Sequence, residues 1–411
     1  MKTKTSKSAS YKLVHTLALG VLALAANQAN ASGYTFTALG TFPDSSDQSV
    51  TTYALNNSGQ AVGLMYLGQS NEGRATLWNP GAASSVSPIN LGSLGGTSSG
   101  AMAINNLGQA AGFSRTAGND FTDTRATYWD GSNPPVDLGV LPGGSYSAAN
   151  GINDSGQIVG ATIRADDFMR ATLWNGPGAP VDLGTLGGSR SNALAINASG
   201  QIAGSSDTRG DVDGHGAFWN SAGSAPIALD SLGGTFSSAY AINDAGQIAG
   251  YSDLPGDIEQ HAVFWNGPGT GILDLGTLGD LGLSDDGTTY SVTSSYANDI
   301  NNAGQVVGYS GHYNDNGDIA HGFLWDGGNL IDLNSLLSAD TVSAGWVIAS
   351  ADGINDQGVI LGTAFNTNDL SGFSGRSFLM TPVPVPAAVW LFGSALAGLI
   401  GATRLKQAVA A

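Results

Sequence analysis

Seven copies of one short phrase constrain this chain more than any other feature. The phrase reads approximately Ala-Ile-Asn-x-x-Gly-Gln-apolar-x-Gly and begins at Ala54, Ala103, Gly151, Ala195, Ala241, Asp299 and Gly353. Its turn glycine recurs at Gly59, Gly108, Gly156, Gly200, Gly246, Gly304 and Gly358, at intervals of roughly 44 to 58 residues. A fixed period marks one supersecondary unit that has been copied, so the fold is a stack of copies. The length of 411 residues would otherwise suggest two or three domains. The 61 glycines recur in register, which points to turns and not to low complexity.

The copy from Ser238 to Leu278 shows what one unit is made of. Ala239-Tyr240-Ala241-Ile242-Asn243 reads as a first strand, and Asn243-Asp244-Ala245-Gly246 as a turn. Asparagine can bond its own backbone two residues on, and glycine accepts positive φ, which suits a type I turn with a glycine bulge. Gln247 to Tyr251, His261 to Trp265 and Ile272 to Gly276 read as three further strands, making a four-stranded meander. The third strand ends in tryptophan in six copies (Trp78, Trp129, Trp174, Trp219, Trp265, Trp325), with Met380 in the seventh. Tryptophans repeated in this way are read as packing between neighbouring sheets; the alternative is a row of sugar-stacking platforms.

The ends of the body predict a closed ring. Tyr34 to Thr41 matches only a fourth strand, whereas Ile354 to Ala364 and Arg376 to Met380 supply only strands one to three. Pairing the two completes a seventh sheet and removes two exposed edges. The expected fold is therefore all-β: a seven-bladed β-propeller of four-stranded blades, closed by the N-terminal strand completing the last blade. An open solenoid would show polar capping repeats instead.

Charge and the chain ends bear on location. Between Ser32 and Thr381 there are eight arginines and all 32 acidic residues of the chain; every lysine lies outside. Such a surface repels phosphate backbones, so nucleic acid is not an expected partner. There is no cysteine, which excludes thiolate metal sites and cysteine catalysis. Residues 1–31 read as a signal peptide. Lys2, Lys4, Lys7 and Lys12 precede an apolar stretch, and Ala29-Asn30-Ala31 places signal peptidase cleavage after Ala31.

The tail, residues 382–411, is tripartite. Val383-Pro384-Val385-Pro386-Ala387 leads into an apolar run, read as a transmembrane segment over 387–403, and then Arg404 and Lys406. The run is slightly short of the roughly 20 residues of a comfortable span. This tail resembles the PEP-CTERM sorting signal in its VPLPA-like form, with Leu405 interrupting the usual basic pair. The resemblance implies processing by an exosortase-type enzyme, transient anchoring in the inner membrane of a Gram-negative bacterium, then display at the cell surface or release. A plain membrane anchor is the alternative.

The repeat body, residues 32–381, resembles the HAF family of extracellular repeats. The matching stretches are His215-Gly216-Ala217-Phe218, His261-Ala262-Val263-Phe264, His321-Gly322-Phe323-Leu324 and Asp182-Leu183-Gly184-Thr185-Leu186-Gly187-Gly188. That likeness implies an exported repeat protein and brings no catalytic residues.

Candidate chemistry is sparse. One basic position precedes the third strand in every copy: Arg74, Arg125, Arg170, His215, His261, His321 and Arg376. It is read as structural, each cation pairing with its own loop acid or turn carbonyl, and not as a histidine metal site. Calcium is the one cation with candidate ligands: Asp211 and Asp213 in one loop, and Asn314, Asn316 and Asp318 in another, place oxygens at alternate positions. Solvated acidic loops are the favoured reading of the same residues. No Gly-x-Ser-x-Gly elbow is present. The odd features are an insertion from Asp280 to Thr293 and the Trp346 segment, where a site would be sought first. The expected function is a monomeric, non-catalytic, exported interaction or matrix module associated with exopolysaccharide and needing no cofactor. The alternative is a polysaccharide-active hydrolase or lyase.

Overall fold

The computed structural model describes residues 33–40, 50–66, 72–79, 88–117, 123–176, 178–211, 213–283, 289–291, 294–312, 319–368 and 375–383. Seven four-stranded sheets follow one another along the chain, and the last contains the N-terminal strand. The fold is a seven-bladed β-propeller. Blade one comprises Val50–Leu55, Ala61–Tyr66, Gly73–Trp78 and Pro88–Asn90. The inner strands of blades two to six are Gly95–Ile104, Tyr146–Ile152, Gly187–Ile196, Ser237–Ile242 and Ser294–Ile300. Blade seven takes Trp346–Ile354, Ile360–Asn366 and Arg376–Pro382 from the C-terminal side and Tyr34–Ala38 as its outer strand. Leu39 N–H donates to the Ser377 carbonyl at 2.9 Å, and the Phe36 ring stacks on Phe378 with centroids 5.2 Å apart. By contacts, Phe36–Thr381 forms one unit. In the other, Val383 N–H donates to the Gly33 carbonyl.

Local chemistry explains each hairpin. In blade five, Gly246 N–H donates to the Asn243 carbonyl at 3.0 Å, and Asn243 N–H to the Gln247 carbonyl at 2.9 Å. Gly246 holds φ 78°, the left-handed conformation that glycine adopts without a Cβ penalty. A second irregularity was not foreseen from sequence. The inner strand of every blade carries a β-bulge; in blade five it falls between Ala239 and Ala241, and the other six repeat it at the equivalent step. The bulge brings the inner-strand backbone against the second strand, which accounts for the last glycine of the phrase. A Cβ at Gly250 would fall on the Ser238 carbonyl oxygen.

The core lies between blades. Trp78, Trp129, Trp174, Trp219 and Trp265 are fully buried. Trp174, from blade three, packs on Ala111, Ala126 and Leu138 of blade two together with Ile152 and Ile158 of its own blade. Trp78 packs on Leu39, Leu361 and Leu379 and so joins blade one to blade seven. The indole N–H groups of Trp78, Trp219 and Trp265 donate at 2.8 Å to the carbonyls of Gly40, Leu183 and Asp230, which lie at the outer-strand exits of the preceding blades. These rings are packing residues, as their repetition predicts, and removing one such side chain costs about 3–5 kcal/mol. The insertion after blade five contains a two-stranded hairpin, Asp280–Leu283 with Thr289–Ser291. Among the described residues no helix is long and apolar enough to cross a membrane.

Candidate functional site

The asparagines of the seven phrases meet around the axis. Each side-chain Nδ2 donates to the backbone carbonyl of the corresponding asparagine in the next blade. The circuit runs Asn56 to Asn105, Asn153, Asn197, Asn243, Asn301, Asn355 and back to Asn56, at 2.9 to 3.1 Å. All seven are buried. Each Oδ1 also accepts two backbone N–H groups of its own turn, as Asn243 does from Ala245 and Gln247. One side chain therefore shapes the hairpin and ties it to its neighbour. Sequence reasoning assigned these asparagines only the first role; their invariance across seven copies was the signal for the second.

A shallower ring follows at the next residue. Asn57, Asn106, Asp244, Asn302 and Asp356 bond from blade to blade, their side-chain oxygens accepting backbone N–H groups and, between Asn57 and Asp356, a side-chain amide as well. Asn106 reaches Asp154 twice, through N and Nδ2, at 2.8 and 3.0 Å. Ala198 interrupts the ring: it donates its own N–H to Asp244 but has no side-chain oxygen to offer Asp154. Together with the Leu55 and isoleucine side chains beneath, the two rings line an axial cavity of about 200 Å³.

The cavity wall holds one ionisable group that breaks the repeat. Asp299 occupies the position of Ala54, Ala103, Ala195 and Ala241, and its two oxygens accept the N–H groups of Ile300 and, across the blade boundary, Ile354, both at 2.8 Å. Burial pushes its carboxyl up to about 7, against the effect of those two bonds. Asp352, the bulge residue of blade seven, is pushed up to about 6 by burial while accepting bonds from Ser350 and Thr363. Neither acid was singled out from sequence; each stands where other copies carry an uncharged residue, and that contrast is legible once the copies are aligned.

The repeated basic position is structural, with a correction to its partners. Arg74 lies 3.9 Å from its loop acid Glu72, as expected. The histidines instead pair with an outer-strand aspartate: His261 Nδ1 lies 2.9 Å from Asp274, and His321 Nδ1 2.8 Å from Asp332. Antiparallel register places those aspartates beside the third strand, nearer than the loop acids. Burial would raise the Asp332 carboxyl, but His321 and Asn334 hold it below its ordinary range. In blade four Ala228 replaces the aspartate, and His215 Nδ1 is left buried without a hydrogen-bond partner.

Of the calcium candidates, Asp211 and Asp213 lie among the described residues. Asp211 accepts the Ser189 N–H at 2.6 Å, and Asp257 holds the same left-handed conformation one blade on while accepting from Thr235 at 2.7 Å. This is one repeated turn-capping position. Asp213 offers its backbone carbonyl to Thr208. Among the described residues no group of three or more histidines and acids could hold a metal ion. Asn314, Asn316 and Asp318 lie outside the described residues, as do Ala29, Ala31 and the tail residues from Pro384 through Arg404 and Lys406. Val383 is described and exposed.

A family described as "Protein of unknown function (DUF3466)" matches residues 188–376, less than half of the chain, lying on blades four to seven. No curated protein sequence matches the chain. Among solved structures, the chain is similar to the β-propeller domain of the Trilobed protease from Pyrococcus furiosus, at 9% identity and a TM-score of 0.48, covering 83% of this chain and 94% of that one. The Pyrococcus horikoshii acylaminoacyl peptidase matches at 12% identity and 0.45, covering 82% and 51%. TolB from Acinetobacter baumannii matches at 11% and 0.38, covering 66% and 63%.

Proposed function

We propose that this chain is an exported, non-catalytic propeller that acts as an interaction module at the cell surface or in the extracellular matrix. One observation carries the reading: the residues repeated most faithfully bond blade to blade. The asparagine ring and the tryptophans hold the scaffold together, so what has been copied seven times is the ring itself. The export half rests on the signal-like residues 1–31, the HAF-like repeats and the tail that resembles a PEP-CTERM signal. In this reading signal peptidase and an exosortase-type enzyme process the ends, and exopolysaccharide is the partner. Expression in a Gram-negative host with and without an exosortase tests it. The expected product begins at Ser32, lacks the tail after the Val383–Ala387 motif, and accumulates outside the cell, where it binds polysaccharide without releasing product. An unprocessed cytoplasmic chain would refute it.

A polysaccharide-active hydrolase or lyase is the second reading. The observation that favours it is Asp299, whose carboxyl sits at about 7 in the cavity wall, the range in which a carboxyl serves as a general acid. Product formation abolished by Asp299→Ala would put this reading in place of the first.

A further inference from the structure

We propose that the end of blades five and six farther from the asparagine ring binds a neutral saccharide on a run of tyrosines that crosses the boundary between the two blades. The proposal deepens the interaction-module reading by naming the ligand class and its site.

The asparagine ring and the aromatic run lie toward opposite ends of the inner strands. The asparagine turns lie at one end of the inner strands. Tyr296 stands five residues before Asn301, about 16 Å away along an extended strand. The insertion enters at this far end, its hairpin closing at Ser291 just before the inner strand of blade six starts at Ser294. The asparagine ring is thus at one end, and the insertion and the aromatic run peculiar to blades five and six lie toward the other.

Four aromatic rings form the run. Tyr240 lies 5.5 Å from Tyr251, Tyr251 5.2 Å from Tyr296 across the blade boundary, and Tyr296 5.1 Å from Tyr309, centroid to centroid. All four are partly exposed. The strand pair that carries Tyr296 and Tyr309 in blade six carries Ala148 and Ala161 in blade three, and Asn192 and Ser205 in blade four. The aromatic run is therefore a local departure and not a requirement of the fold. Polar groups border it: Tyr296 donates its hydroxyl to Gln260 Oε1 at 3.0 Å, and Gln260 also bonds the Asp253 carboxyl.

Flat aromatic faces with a few fixed hydroxyl and amide groups suit a ligand that alternates C–H faces with hydroxyls. Burial raises the Tyr240 and Tyr251 phenols, so they stay protonated and neutral at physiological pH. The body carries eight arginines against 32 acids, which opposes an acidic glycan. A neutral one meets no such barrier.

Titration calorimetry of the secreted protein with neutral β-glucan oligosaccharides, polygalacturonate oligomers and tetramethylammonium tests the proposal. The neutral oligosaccharides bind and the other two do not. Tyr251→Leu weakens binding by roughly tenfold, whereas Tyr251→Phe stays within about threefold. Should Tyr251→Leu fail to fold, Tyr309→Leu serves in its place. Unchanged affinity in the leucine variant, or preferential binding of the acidic oligomers or of tetramethylammonium, overturns the site. Polysaccharide binding that survives the leucine variant leaves the interaction-module reading standing; no binding to any polysaccharide removes both.

Discussion

Replacing Asn243 by alanine removes one link of the axial ring and tests whether that ring holds the blades together. The side chain makes four hydrogen bonds: to the Asn301 carbonyl at 3.0 Å, to Gln247 Oε1 at 2.8 Å, and from the N–H groups of Ala245 and Gln247 at 3.1 and 3.0 Å. A net hydrogen bond contributes about 0.5–1.5 kcal/mol. The Asn301 carbonyl keeps a second donor, Gly304 N–H, and Gln247 can turn to water. Counting the inter-blade bond and the two turn bonds, Asn243→Ala should cost about 2–4 kcal/mol. Asn243→Asp separates the two roles. It preserves the acceptor that shapes the turn but removes both donors and sets a carboxylate against the Asn301 carbonyl. If the inter-blade bond matters, the aspartate variant loses at least as much as the alanine variant. Asn355 has Val359 where the other six turns have glutamine, so Asn355→Ala should cost about one bond less. Urea unfolding followed by tryptophan fluorescence reads the midpoint at constant slope. An aspartate variant as stable as the parent would refute the ring's role.

Three further outcomes follow. The Asp299 carboxyl is raised to about 7 in the folded state, so its contribution is most favourable below pH 4 and is lost as pH rises from about 4 to 7. Asp299→Ala should flatten that loss by roughly 2 kcal/mol, discounting for solvent in the cavity; parallel stability–pH curves for variant and parent would contradict the assignment. Gly250→Ala places a Cβ on the Ser238 carbonyl and should cost at least about 3 kcal/mol in thermal or urea unfolding, whereas Gly223→Ala, with nothing within 4 Å, should be neutral. Ala198→Asn supplies the missing oxygen beside Asp154 and should stabilise by about 0.5–1.5 kcal/mol, read as a rise in the urea midpoint; a fall would mean the gap is not a missing bond.

Much of the fold was legible because the copies vote together. The strands expected at Ala239–Asn243, Gln247–Tyr251, His261–Trp265 and Ile272–Gly276 occur within two residues at Ser237–Ile242, Ile248–Asp253, Gln260–Trp265 and Ile272–Gly276. What escaped depends on distance across the ring. A bulge leaves no composition signature when Tyr53, Met102, Asn150 and Asp352 all occupy it. The partner of His261 is thirteen residues away on the outer strand, and only antiparallel register brings it nearer than the loop acids. The axial circuit joins residues 44 to 58 apart and closes across 299, so no local window contains it. The odd acids Asp299 and Asp352 are inconspicuous among 32 acidic residues until the inner strands are superposed.

The closure of the circle by the N-terminal strand underlies all of these contacts. With selectively labelled phenylalanine, nuclear Overhauser spectra should contain a direct cross-peak between the Phe36 and Phe378 rings, whose centroids lie 5.2 Å apart. Assigned resonances with no such cross-peak, and a Phe36 ring in contact with solvent alone, would mean the seventh blade is left open.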